Sequence, residues 1–224
     1  CMSLDFASMG LSAWHDKAVL AVSIVAGATI IVGNLGGITQ VNAKRLLAFS
    51  GISNAGYLLV LVAAVLKFSS LGGMFEPVLY YYLAAYMFAN YALFFAVNSF
   101  EGIDDYDQSL ADYRGLSVRS PVMAGTLVVN LASLAGIPPT AGFFGKVLIL
   151  IMAWNAQLYW LMGIMIAGSV ASIYYYFAWM RSAFDSPEGG ERRLGENRVL
   201  YPTMAALSVA TFVLGVAVLC MYGI

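Results

Sequence analysis

The chain has 224 residues, of which 61% are hydrophobic and only 10% charged, with a formal net charge of −1. A water-soluble domain carries about 25% charged residues, so this composition excludes one and gives an all-α, polytopic membrane protein. The balanced charge excludes nucleic acid as a partner. Cys1 and Cys220 lie at opposite ends and the single histidine, His15, precedes the first span, so neither a disulfide framework nor a zinc or haem cage is expected.

In chain order, 1–17 is mixed in character and reads as an extramembrane lead-in. It carries no signal-peptide pattern, and Cys1 is not an initiator, so the numbering is expected to begin inside a longer chain. The transmembrane domain is expected over 18–222. Its first span is about 18–40, with Gly33, Gly36 and Gly37 suited to close helix packing. A basic turn, Lys44 and Arg45, leads into the second span, 46–66. The third span, 77–100, starts at Pro77, a residue suited to a first helical turn, and is dense in tyrosine: Tyr80, Tyr81, Tyr82, Tyr86 and Tyr91. These tyrosines, with Tyr174, Tyr175 and Tyr176, read as packing and interface belt. An acidic loop over 101–120 follows, most simply a solvated surface. The fifth span is 158–180 and the sixth 199–222, separated by a polar loop.

The fourth element, 121–154, is the unusual one. As one straight helix it would reach roughly 51 Å, against a hydrocarbon core of about 30 Å. Gly136, Pro138 and Pro139 interrupt it, with Gly142 just beyond. Adjacent prolines remove two helix donors and clash with the preceding turn, so the element is expected as two half-helices broken near 136–140. Unwound backbone at membrane depth persists only where protein or water covers it. Lys146 stands just past the break, inside an apolar run. An intramembrane lysine costs about 2.5–3.5 kcal/mol on insertion scales and marks a functional site by default. The ordinary lysine pKa of about 10.4 is too high for exchange near neutral pH, and withdrawal of an amine from water brings it into range. Lys146 is therefore the first candidate for proton transfer. A structurally paired lysine is the alternative.

Orientation follows from the basic residues. Lys44, Arg45, Arg114, Arg119, Arg181, Arg192, Arg193 and Arg198 share one side, against Lys17 and Lys67 on the other. The basic loops are expected in the cytoplasm and both termini outside it, in a bacterial inner membrane.

Several runs together resemble the antiporter-like subunits of respiratory complex I. They are Gly33-Asn34-Leu35-Gly36, Asn42-Ala43-Lys44-Arg45-Leu46-Leu47-Ala48-Phe49-Ser50, Gly56-Tyr57, Asp112-Tyr113-Arg114-Gly115-Leu116, and the stretch from Ser133 through Gly136-Ile137-Pro138-Pro139 to Lys146. The subunit N branch is the most similar, and the resemblance covers the last six spans of a fold of about fourteen, the second inverted repeat with a flanking helix. It implies a membrane-arm subunit of NADH:quinone oxidoreductase, enzymatic through the complex, that translocates protons while FMN, iron–sulfur clusters and quinone reside in other subunits. It further implies as partners the antiporter-like subunit M, the small subunits K, J and A, and the lipid bilayer. Lys146 would be the exit-side proton carrier, and Lys44 would have a part in proton uptake besides its positive-inside placement.

Ser50, Ser53, Asn54, Tyr57, Asn130, Ser133 and Thr140 would line a water path. Taken singly, each is more often a helix-to-helix hydrogen bond. Asn54 departs from the resemblance: the family commonly has a histidine there, and asparagine takes up no proton near neutral pH. The rival readings are a cation/proton antiporter or membrane-hydrogenase subunit of the same superfamily, and a non-pumping membrane scaffold.

Overall fold

The computed structural model describes residues 2–100, 108–186 and 200–222. The described residues form helices joined by short connections: α1 (Met2–Ile38), α2 (Ala43–Lys67), α3 (Gly72–Asn98), the one-turn α4 (Leu116–Arg119), α5 (Pro121–Ala135), α6 (Ala141–Asn155), α7 (Tyr159–Ser182) and α8 (Leu200–Tyr222). Five stretches are long and apolar enough to cross a membrane, Trp14–Ile38 and Tyr201–Val218 within α1 and α8, and α2, α3 and α7 whole. The fourth expected span is the pair α5 and α6, each about 22 Å long. Large apolar side chains face outward, among them Ile24, Leu35, Val170, Phe177, Val209 and Val213. Such a surface is costly in water and matched by lipid tails.

Two element starts differ from the sequence reading. The lead-in over 2–17 is helical and continuous with α1, because that stretch holds one glycine and no proline to stop a helix. Pro77 does not open its helix. α3 begins five residues earlier, at Gly72, so Pro77 stands in the second turn and leaves the carbonyl of the exposed Gly73 without its helical donor. The first part of the acidic loop, 101–107, and most of the polar loop, 187–199, lie outside the described residues.

α1 and α2 form a close hairpin. A Cβ on Gly33 would sit 2.5 Å from the Ser53 backbone nitrogen, and one on Gly56 would sit 2.6 Å from Ile30 Cγ1. Small residues are what allow two backbones this near. Asn42 caps α2, its side chain accepting from the Arg45 N–H at 3.1 Å. One residue on, the Ala43 N–H donates to the Gln108 carbonyl at 3.0 Å, and the Leu110 N–H donates to the Val41 carbonyl at 2.8 Å. The segment after α3 is thereby stitched to the α1–α2 turn. It is stitched to the end of α7 as well, through Gly115 N–H to Asp185 O at 2.9 Å and Ser117 N–H to Ala183 O at 3.0 Å. Beneath this clip Tyr113 stands edge-on to Phe100 and Trp179, with ring centroids 4.7 and 5.2 Å away. Burial, and secondarily the Asp112 carboxylate, pushes the Tyr113 hydroxyl well above the usual tyrosine range, so it stays neutral and accepts from Gln108 Nε2 at 3.1 Å.

The described residues form two hydrophobic cores. One gathers Leu46, Leu93, Tyr113, Met123, Leu127 and Trp179 and includes the inward face of α5. The other gathers Ile30, Tyr57, Leu61, Tyr82, Ile149 and Met165 and includes the inward face of α6. The two halves of the broken element thus belong to different cores, and the break lies on the seam. α8 closes the seam from one side: a Cβ on Gly215 would overlap the Pro139 carbonyl oxygen. Gly215→Val is expected to lower stability by about 1–3 kcal/mol through this overlap. Gly163→Ala, where a Cβ meets nothing within 4 Å, should be neutral or slightly stabilising. Equilibrium unfolding of the two variants in detergent checks both.

Candidate functional site

The break is built by its own sequence. α5 ends in a left-handed glycine, Gly136 at φ +81°. The Gly136 N–H donates to Ser133 O at 3.0 Å and the Ile137 N–H to Ala132 O at 2.9 Å, which is the Schellman arrangement. The cis Pro138-Pro139 bond follows. Thr140 then opens α6, its hydroxyl donating to Ile137 O at 2.7 Å. This cap serves the carbonyls of Ala132 and Ser133 and leaves those of Leu134 and Ala135 open, at the end of α5 where the helix dipole concentrates negative charge.

Lys146 serves them. Its side chain is 6% exposed, and Nζ donates to Leu134 O at 2.8 Å and to Ala135 O at 3.2 Å. Nζ also lies 5.2 Å from the centre of the Tyr57 ring, within cation–π range. Among the described residues no carboxylate pairs with it, so every partner of the amine is electrically neutral. Three glycines make room. A Cβ on Gly136 would come 3.1 Å from Lys146 Cδ, one on Gly142 would overlap the Ser133 carbonyl, and one on Gly145 would sit 2.8 Å from the Tyr82 ring. The Gly142 N–H donates to Ser133 Oγ at 3.1 Å, tying the start of α6 back to α5.

A small cavity touches the lysine. It offers about 10 Å³ to the centre of a water molecule and is lined by Asn54, Tyr82, Tyr86, Ser133, Leu134 and Lys146. That is close to the least space that holds one water. Asn54 comes from α2, where Ser50, Ser53, Asn54 and Tyr57 fall at helical spacing and are all buried. Asn54 Nδ2 donates to Ser50 O at 2.8 Å, and Asn54 Oδ1 accepts from the Tyr82 hydroxyl at 2.6 Å. Ser50 Oγ is in turn hydrogen-bonded to the Tyr176 hydroxyl. Ser53 Oγ donates to Ser50 O at 2.9 Å and takes no part in the cavity lining.

Of the other expected path residues, Tyr57 is at the site through its ring, and its hydroxyl accepts from Ser169 at 3.5 Å. Asn130 is elsewhere: its amide holds α8, donating to Ser208 Oγ at 2.7 Å and accepting from Thr211 at 3.2 Å. Thr140 is spent on the break itself. Lys44 is half-buried in the first turn of α2 beside the clip, ten residues from Asn54 and so about 15 Å along the helix. Sequence reasoning missed Tyr82, Tyr176 and the Tyr175–Asn34 hydrogen bond of 3.2 Å. The tyrosine runs read as packing, and for Tyr80, Tyr91 and Tyr174, which face outward, that is a sufficient account. A helical count from Tyr82 through Ala85 and Ala89 to Ala92, the inward face of α3, was the available signal.

The fold and site define a class: an apolar helical membrane protein with one helix broken at depth and a buried lysine on the broken end. The chain belongs to the NADH:quinone oxidoreductase/Mrp antiporter transmembrane family, whose profile matches residues 4–172. It is 43% identical over 172 residues to NADH-quinone oxidoreductase subunit N 1 of Opitutus terrae, covering 76% of this chain and 33% of that one. Among solved structures it is similar to a chain of respiratory complex I from Thermus thermophilus with bound aureothin, with a TM-score of 0.74, 28% identity, and coverage of 87% of this chain and 43% of that one. The fold also matches a chain of the Mrp complex from Dietzia sp. DQ12-45-1b, with a TM-score of 0.73, 22% identity, and coverage of 91% and 45%. The chain spans about a third of the length of the curated relatives it matches. Among the described residues no three His, Cys, Asp or Glu side chains come together as a metal site.

Gly136→Ala is expected to cost about 1–2 kcal/mol for the left-handed backbone alone, and its methyl crowds Lys146 Cδ. The free energy of equilibrium unfolding in detergent should fall by at least that amount.

Proposed function

We propose that this chain moves protons across the membrane through Lys146, as part of the membrane arm of an NADH:quinone oxidoreductase. The observation that carries the reading is the partner set of the amine. A neutral amine has two N–H groups and an ammonium three. Two backbone carbonyls hold two of them whichever form is present. The third proton exists only in the charged form, and the cavity is the space beside it. The site therefore keeps its hydrogen bonds while one proton comes and goes. A lysine serving only as a cap would need no water-sized space at its tip.

On this reading the chain is enzymatic only through the complex. Flavin, iron–sulfur clusters and quinone lie in other subunits, where the redox chemistry drives a change that reaches Lys146. The partners are the neighbouring membrane subunits, the antiporter-like M and the small K, J and A, with the lipid bilayer around them. The setting is the bacterial inner membrane, with the basic loops in the cytoplasm and the termini outside. Lys44, on the basic side, takes up protons and passes them towards the cavity through waters beside the polar face of α2, where Ser50, Ser53 and Asn54 line the way without taking a proton themselves. The similarity to subunit N of Opitutus terrae supports this assignment. The fold match to an Mrp complex supports a second reading, in which the same lysine exchanges protons for a monovalent cation without any redox partner. Purification of the intact assembly separates the two, since flavin and iron–sulfur proteins accompany the chain in the first and not in the second.

Lys146→Ala, introduced into the complete complex in membrane vesicles, should lower NADH-driven proton pumping severalfold per assembled complex. Undiminished pumping would overturn the assignment.

A further inference from the structure

We propose that Asn54 is a positioning residue: it fixes the Tyr82 hydroxyl as a hydrogen-bond acceptor facing the Lys146 cavity, where a single water takes the lysine's proton. The proposal rests on the reading of Lys146 as a proton carrier.

The donor and acceptor count leaves one arrangement. Asn54 Nδ2 faces the Ser50 carbonyl at 2.8 Å. A carbonyl only accepts, so the amide cannot be turned over, and Oδ1 must be the atom 2.6 Å from the Tyr82 hydroxyl. An amide oxygen also only accepts, so Tyr82 donates its one proton to Asn54. What remains for the cavity is the lone pairs of the Tyr82 oxygen. Across the cavity, Ser133 Oγ already accepts from the Gly142 N–H at 3.1 Å, which frees its hydrogen to donate. Lys146 contributes its third N–H. A water in this space accepts from Lys146 and Ser133 and donates to Tyr82, within the two to four partners usual for a buried water. Its oxygen is thereby turned towards the amine, and its second O–H is left for the outward path.

Proton transfer then balances. The ammonium gives one proton to the water oxygen, the water releases its other proton along the path, and Lys146 is left as a neutral amine on the same two carbonyls. The proton does not continue through Tyr82, because Asn54 has no site to receive one. The chain Tyr82–Asn54–Ser50–Tyr176 orients the water and conducts nothing.

The test uses the complete complex in vesicles, with NADH-driven pumping normalised to assembled complex, for Tyr82→Phe, Asn54→Leu, the double variant and Asn54→His. Tyr82→Phe and Asn54→Leu should each lower pumping severalfold, and the double variant should pump no worse than Tyr82→Phe alone, since both remove one device. A neutral imidazole offers one donor and one acceptor, as the amide does, so Asn54→His should restore at least half of what Asn54→Leu loses. A purely structural lesion would not be rescued in that pattern. Wild-type pumping by Asn54→Leu, losses that multiply in the double variant, or failure of the histidine to rescue would each overturn the proposal. Should Asn54→Leu fail to assemble, Tyr82→Phe and Asn54→His decide: pumping must fall in the first and survive in the second. Lys146→Ala run alongside separates the levels. Lost pumping there with normal pumping by Asn54→Leu sinks only this proposal, whereas normal pumping by Lys146→Ala sinks the carrier reading beneath it.

Discussion

The structure turns on two carbonyls that a helix cannot satisfy for itself. Wherever a helix stops inside an apolar medium, its last carbonyls have lost their partners and no bulk water replaces them. Here Gly136 and Ile137 serve one pair, and a lysine reaching back from the next helix serves the other. The arrangement fixes its surroundings. The residue at the turn must accept a positive φ, and the second residue of the second helix must be a glycine so that it can lie against Ser133. The ring of Tyr82 approaches only because position 145 has no side chain. A capping amine placed this way is held by dipoles and an aromatic face, with no fixed counter-charge among the described residues. A carboxylate partner would bind the charged form far more strongly than the neutral one, and backbone carbonyls discriminate less.

The break also divides the packing. α5 contributes Met123, Leu127 and Leu131 to one core, and α6 contributes Ile149, Met152 and Ala153 to the other. Close-packed interiors move as blocks, switching between discrete arrangements. A seam between two blocks is where a small relative shift changes distances most. Lys146 belongs to one block and the carbonyls it holds belong to the other, so its two hydrogen bonds, with that from Gly142 N–H to Ser133 Oγ, span the seam and are among the contacts such a shift alters.

Much of this was legible in the sequence, for local reasons. Gly136-Ile137-Pro138-Pro139 cannot continue a helix, and a lone lysine in an apolar run has to be accounted for, so the break and Lys146 could be read together. The α2 face of Ser50, Ser53, Asn54 and Tyr57 follows from helical spacing alone. The rest depended on pairings that spacing does not encode. Tyr82 meets Asn54 across 28 positions and Tyr176 meets Ser50 across 126, and only the small-residue face of Ala85, Ala89 and Ala92 separates Tyr82 from outward-facing Tyr80. Asn130 has the composition of a path residue, yet its partners on α8 make it a strut. The helical start at Met2 and the interior position of Pro77 went unread because helix boundaries depend on the absence of a stop as much as on a start signal.

The contact between Gly215 and the Pro139 carbonyl has a mechanical meaning. Successive side chains on a helix stand about 100° apart, so turning α8 about its axis by one residue would swing Leu214 or Val216 towards the place that only glycine fits. Rotation of that rod in place is therefore blocked at the fracture, and the orientation of α8 is keyed to one bare backbone position.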